Sequence, residues 1–192
     1  MEGRKQCVKV RENNSEQCNV ISGVPQGSVL GPMLFTIYIN DIDESLNSDI
    51  SKFADDTKIG KVVNDEKDAA ELQNDLQILY EWSVKWQMEF NLNKCVCVHV
   101  GKKNKLLKYS LGGIVLEEVQ KERDLGVIID SSEKVGGQCA MVVRRANNVL
   151  RQIRRKIKCK SKNVILRLYK SLVRPHLDYC VQAWCPYLKK RY

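Results

Sequence analysis

Phe53-Ala54-Asp55-Asp56 is the stretch on which the fold turns. β-prone residues flank it, Asp49 to Ala54 before and Thr57 to Val63 after, so it reads as the tip of a hairpin. Two adjacent carboxylates are unfavourable at such a tip. Like charges repel there, and neither residue is the glycine that a two-residue turn prefers. A divalent cation reverses that balance. Mg²⁺ takes hard oxygen ligands and is typically held by one or two carboxylates together with substrate phosphates. The plainer alternative is an exposed acidic turn, since Asp is mostly a surface residue.

The surrounding composition sets bounds. The 192 residues are 43% hydrophobic and 29% charged, which is globular rather than disordered. No run approaches the roughly 20 apolar residues that span a bilayer. The polar start, Met1-Glu2-Gly3-Arg4-Lys5, has no apolar signal-peptide core. The expected location is therefore inside the cell, nucleus or cytoplasm, with no secretion and no membrane partner. The eight cysteines contain no CxxC and are expected to be reduced thiols. Charge is uneven within the net +9: residues 134–192 carry 16 of the 32 Lys and Arg but one acid, Asp178. An acidic body followed by a basic segment points to a polyanion, nucleic acid before membrane; a solvated basic face is the alternative.

Along the chain, Cys7–Val10 and Cys18–Ile21 are expected to pair as strands around a polar loop from Arg11 to Gln17. Ser22-Gly-Val-Pro-Gln-Gly-Ser28 is dense in turn formers, with Ser28 placed to cap a helix from about Val29 to Ser45 and Pro32 in its first turn. Asp41 and Asp43 lack the Gly and Glu of a calcium loop. A long helix begins near Asp65 to Asp68, with Ala69, Leu72, Leu76, Leu79, Ser83 and Trp86 as its inward stripe. Trp82 and Trp86 are read as packing residues. Cys95 to Val100 alternates as a strand that puts Cys95, Cys97 and His99 on one face, either a half-buried strand or three zinc ligands lacking a fourth. Gly112-Gly113 reads as a hairpin turn, and Asp124 to Asp130 as one buried strand.

From Gln138 to Lys158 the stripe Val143, Ala146, Leu150, Ile153, Ile157 predicts a helix. Arg144, Arg145, Arg151, Arg154, Arg155 and Lys158 cover its other sides, where they suit a nucleic-acid backbone. A second helix from about Asn163 to Val173, with Val164, Leu168, Ser171 and Leu172 inward, is expected to break at Arg174-Pro175. Leu177 to Tyr187 follows as a helical or irregular end.

These residues resemble the reverse transcriptases of non-long-terminal-repeat retrotransposons, of the jockey-like kind. Ser22-Gly-Val-Pro-Gln-Gly-Ser-Val-Leu-Gly-Pro32 with Leu34-Phe35 is similar to the family's turn-and-helix motif, and Phe53-Ala-Asp-Asp56 to its metal-binding hairpin. Asn91-Leu-Asn-Lys-Cys95 and Leu125-Gly-Val-Ile-Ile-Asp130 resemble the two motifs that follow, and Leu168 to Tyr179 resembles its thumb. Five motifs in order make a specific match.

The resemblance implies an α+β fold: a partial polymerase palm over 1–133, an antiparallel sheet with packed helices, and a basic helical thumb and connection over 134–192. It implies RNA-directed DNA polymerase chemistry on an RNA template, a DNA primer and dNTPs, with Mg²⁺ as cofactor. Asp55 is then the principal metal ligand, supported by Asp56. Pro25, Gln26 and Gly27 line the nucleotide and template site, and Phe53 packs beside the primer end. Lys94 acts near the pyrophosphate as acid or charge stabiliser. The family also has a metal-ligating Asp on a strand before the Gly/Pro motif, and residues 1–21 contain no Asp. The expectation is a segment of such an enzyme, inactive alone and weak for Mg²⁺. The alternative is a non-catalytic nucleic-acid-binding remnant.

Overall fold

The computed structural model describes residues 3–20, 23–24 and 27–185. The chain forms two compact units, Met1–Met88 and Glu89–Tyr192. Both mix helix with short strands, and the strands pair two by two, all antiparallel among the described residues except one parallel pair.

The first unit opens with a bent ribbon whose pairing differs from the expected one. Lys5–Gln6 (β1) pairs with Cys18–Asn19 (β4), and Lys9–Val10 (β2) pairs with Asn13–Asn14 (β3). The turn is thus Arg11-Glu12 alone, with Arg11 left-handed at φ 56°. The register slips by one residue between the two ladders. Ser15 fills the slip: its amide donates to the Val8 carbonyl at 2.9 Å, and its hydroxyl accepts from the Val8 amide at 2.9 Å.

Helix α1 covers Leu30–Tyr38. The Ser28 hydroxyl accepts from the Gly31 amide at 2.9 Å, the expected cap, and Pro32 falls in the first turn. The helix stops seven residues short of the expected Ser45. Beyond Tyr38 the chain continues as tight turns in which Ile42, Glu44 and Leu46 bond back three residues. Short polar side chains compete with helical continuation, and here they are drawn to tertiary partners. Asp41 accepts from the Trp82 indole at 3.0 Å, and Asp43 pairs with Lys52 at 2.8 Å. Those bonds are the structural reason for two acids that make no calcium loop.

Strands Asp49–Phe53 (β5) and Asp56–Gly60 (β6) form a hairpin on their own. Helix α2, Glu66–Lys85, starts on a capping box between Asp65 and Asp68. Ala69, Leu76, Leu79 and Ser83 are buried, as the stripe predicts, Leu72 is half-buried, and Trp86, expected inward, lies past the helix end at 37% exposure. With Ile39 and Ile42 they build the core, where each buried Leu or Ile contributes about 2 kcal/mol. Trp82 and Trp86 pack edge-to-face on Tyr38, whose hydroxyl donates to the Trp86 carbonyl. They are packing residues, as expected.

The second unit begins with a 3₁₀ turn at Leu92–Lys94. Of the expected strand from Cys95 to Val100 only Val96–Cys97 (β7) is extended in a ladder, parallel to Glu117–Glu118 (β10). Ser110–Leu111 (β8) and Ile114–Val115 (β9) flank the expected Gly112-Gly113 turn. The predicted single strand from Asp124 to Asp130 is instead the tip and return arm of a hairpin. Lys121–Asp124 (β11) pairs with Val127–Asp130 (β12). Leu125 and Gly126 carry φ 46° and 88°, and two positive φ values in a two-residue turn match the strand twist.

Helix α3, Gly136–Lys156, buries Gln138, Val142, Ala146 and Ile153. Val142, not the expected Val143, points inward; Val143 is 52% exposed. The first turn decides that phase, because Gln138 Oε1 accepts from the Ile128 amide at 3.0 Å. The following helix does not break at Arg174-Pro175. Lys162–Leu168 (α4) passes through a π turn, Tyr169–Val173, into Arg174–Asp178 (α5). The Arg174 amide bonds to Tyr169, five residues back. That wider turn admits a proline, which lacks an amide and crowds the carbonyl four residues earlier. The extra residue also re-phases the inner face. Val173 is fully buried against Ala146 and Ile153, while Ser171 and Leu172 are exposed. After Cys180 (φ 51°), Val181–Trp184 (α6) is the last described helix. No described helix is long and apolar enough to cross a membrane.

Candidate functional site

The β5–β6 register fixes what each hairpin residue faces. Cross-strand partners share a face and neighbours alternate. Ile50 lies opposite Ile59 and Lys52 opposite Thr57; Ile50, Lys52 and Ile59 are half-buried. The other face carries Ser51 opposite Lys58 and Phe53 opposite Asp56, all exposed. The turn is Ala54-Asp55, with Ala54 left-handed at φ 51°. Asp56 is thus the first residue of β6, paired with Phe53, and Asp55 precedes it at the tip. The structure closes the ladder with Phe53 and Asp56 on one exposed face, and Asp55 is exposed in the turn between them.

Both carboxylates are solvent-accessible, and no hydrogen bond or ion pair joins either to another described residue. Asp49 in β5 and Glu66 in α2 share this state, whereas several other acids of the unit do not. Asp41, Asp43, Asp68 and Asp75 all accept bonds that hold the fold together. Two adjacent, uncommitted, hard oxygen donors are a chemical fit to a divalent ion. Among the described residues no group of three or more His, Cys, Asp or Glu side chains is gathered closely enough to hold a metal, so the donor set here is a pair.

Pro25 and Gln26 lie outside the described residues, as does Ser22. Gly27 has φ 77°, and a Cβ there would meet nothing within 4 Å. In this chain its requirement for glycine is conformational. Lys94 is exposed at the end of the 3₁₀ turn in the second unit. Arg144, Arg145, Arg151, Arg154, Arg155 and Lys158 are all exposed. At 100° per residue, Arg144, Arg151 and Arg155 form one stripe opposite the buried face of α3, spaced about 10 Å and 6 Å along the axis. Arg145 and Arg154 flank it on either side. Cys97 Sγ lies 3.7 Å from His99 Nε2, and the His99 ring rests near Tyr109. Burial, joined at Cys97 by the Glu118 charge, pushes the Cys95 and Cys97 thiols up.

Several residues that hold the hairpin were not singled out from the sequence. Asp75 is fully buried and accepts from the Asn47 amide and, at 2.5 Å, from the Ser48 hydroxyl. Lys61, one residue beyond β6, pairs with Glu71 at 2.6 Å. That pairing, opposed by burial and aided by Asp75 and Asp68, raises the Lys61 pKa. A signal was available for Asp75: it interrupts the apolar stripe between Leu72 and Leu79, where an acid needs partners.

Comparison with known proteins bears on this geometry. A family model described as reverse transcriptase (RNA-dependent DNA polymerase) matches residues 3–135. A probable RNA-directed DNA polymerase from transposon X-element of Drosophila melanogaster is 29% identical across 96% of this chain and 21% of its own length. The RNA-directed DNA polymerase from mobile element jockey of Drosophila funebris is 28% identical across 95% of this chain and 21% of its own. A retrovirus-related Pol polyprotein from type-1 retrotransposable element R1 2 of Nasonia vitripennis is 28% identical across 88% and 45%. No solved structure matches. The chain spans about a fifth of the first of these relatives. On the family match and these relatives, the chain belongs to the reverse transcriptase (RNA-dependent DNA polymerase) family, in its non-long-terminal-repeat retrotransposon branch.

Proposed function

We propose that this chain is the part of an RNA-directed DNA polymerase that carries the metal-binding hairpin and the thumb. Residues 1–133 are its palm portion and 134–192 the thumb and connection. The observation that carries this is the exposed Asp55-Asp56 tip, uncommitted within the fold. Asp55 and Asp56 hold Mg²⁺ through their carboxylates. Bound there, the ion supplies Lewis-acid activation of the primer hydroxyl and stabilisation of the leaving pyrophosphate. Phe53, on the same face as Asp56, offers an apolar surface to the primer end. Pro25, Gln26 and Gly27 line the dNTP and template side, and Lys94 places a cation for the pyrophosphate. The Arg144–Arg151–Arg155 stripe, with Arg145, Arg154 and Lys158 beside it, grips the template–primer phosphates.

With a two-carboxylate donor set, the isolated polypeptide binds Mg²⁺ weakly and does not extend a primer. The test is an extension assay with a primed RNA template, dNTPs and Mg²⁺. No product is expected from the 192-residue chain, and Asp55-dependent extension would overturn that expectation. A second reading, a nucleic-acid-binding remnant without catalysis, is favoured by the arginine stripe opposite the buried face of α3. Anisotropy titrations of a primer–template duplex at several salt concentrations address it. Replacing Arg144, Arg151 and Arg155 with Gln should flatten the log–log salt slope by about 0.9 for each phosphate no longer neutralised. An unchanged slope would exclude the stripe from the interface.

A further inference from the structure

The β5–β6 ladder has no third strand among the described residues. An isolated two-stranded hairpin is marginally stable, so its direction is set by what its inward side chains hold. Its open end is fixed to α2 on both strands. Glu71 takes Lys61 just past β6, and Asp75, one helical turn on, takes Asn47 and Ser48 just before β5. Those anchors are a full strand length from the tip. The inward side chain nearest the tip is Lys52, which precedes Phe53 and lies opposite Thr57, one register step from the closing Phe53–Asp56 pair.

We propose that Lys52 is a positioning residue for the Asp55-Asp56 pair, tethering the hairpin tip to the turns after α1 through Asp43 and the Asn40 carbonyl. Its ammonium lies 2.8 Å from Asp43 Oδ1 and 3.3 Å from the Asn40 oxygen, and its side chain is 24% exposed. The Lys52 bond is the main cause holding the Asp43 carboxyl below the usual carboxylate range. Lys52 touches neither metal nor substrate. It acts by fixing where Phe53 and the following turn point, so that the carboxylates of Asp55, in the strained turn, and Asp56, first in β6, converge on one ion. The inference rests on the metal-site reading above and adds to it a named determinant of ligand placement.

The test is Mn²⁺ titration of the 192-residue chain, with free Mn²⁺ read by electron paramagnetic resonance. The sign of one effect separates positioning from simple charge. Removing a cation near the carboxylates should tighten Mn²⁺ binding if only the field matters. Positioning predicts the reverse: Lys52→Met and Asp43→Asn both weaken it, by about tenfold, the low end for loss of a ligand-orienting partner. Lys52→Arg, which keeps a donor and the charge, retains most of the affinity. Unchanged or tighter binding in Lys52→Met would overturn the proposal. The double variant Asp55→Asn/Asp56→Asn reports on the underlying reading alone; if it binds Mn²⁺ as the parent does, or the parent binds none, that reading fails. Hydrogen exchange then decides the role of Lys52 without metal. Faster exchange confined to residues 51–57 in Lys52→Met supports tethering, and unchanged exchange there overturns it.

Discussion

Ala54 is the residue at which the hairpin is least comfortable. It adopts φ 51°, a region that costs a residue with a Cβ roughly 1–2 kcal/mol. Glycine adopts it freely but loses more entropy on folding. Ala54→Gly should therefore stabilise the first unit modestly, by about 0.5–1 kcal/mol, read as a higher denaturation midpoint. A lower midpoint would mean that the turn is not strained. A second residue governs acid stability in the other unit. Asp130 accepts from the Ser132 hydroxyl and amide and from Lys121, which brings its carboxyl to about 2 from 3.8. A folded-state pKa below the unfolded one gives stability that is complete above the unfolded value and is lost as pH falls through the folded one. Asp130→Asn should thus remove part of the acid limb of the stability curve between about pH 4 and pH 2. An acid limb identical to that of the parent would show that those bonds do not persist in solution.

At the scale of elements, periodicity located α2 and the β5–β6 hairpin, because each keeps one phase along its length and has clear ends. It failed where a local event changed the phase. Gln138 sets α3 by a bond to Ile128, which no helical pattern encodes, and Val142 replaces Val143 inside. The π turn inserts a residue between Leu168 and the next inward position, so Val173 replaces Leu172. Arg174-Pro175 was legible as a disturbance, but not as one that a five-residue back-bond absorbs. Alanine substitutions measure this phase directly. Val173→Ala, at a position with no exposure, should cost about 2 kcal/mol in chemical denaturation, and Leu172→Ala, at 49% exposure, less than about 0.5 kcal/mol. The opposite order would restore an uninterrupted α-helix.

For the molecule as a whole, the sequence was most informative about ancestry. The order of the motifs carried it, and the family match over 3–135 agrees. The hairpin that carries Asp55 and Asp56 was legible too, because turn residues there stand between two β-prone runs. The supports behind it were not: Lys52 with Asp43, Lys61 with Glu71, and Asp75 with Ser48 join residues 9 to 27 positions apart. Lys52 with Asp43 and Lys61 with Glu71 look like ordinary surface charge until the fold brings the partners close, and only Asp75, inside the apolar stripe, carried a signal. The central claim is that a divalent ion sits at Asp55 and Asp56. Its most direct test is to load the 192-residue chain with Fe²⁺, start hydroxyl-radical cleavage with ascorbate and peroxide, and map the cuts. The account predicts backbone cleavage centred on residues 53–57, suppressed by excess Mg²⁺ and absent from Asp55→Asn/Asp56→Asn. Cleavage centred elsewhere, or unchanged in that double variant, would contradict it.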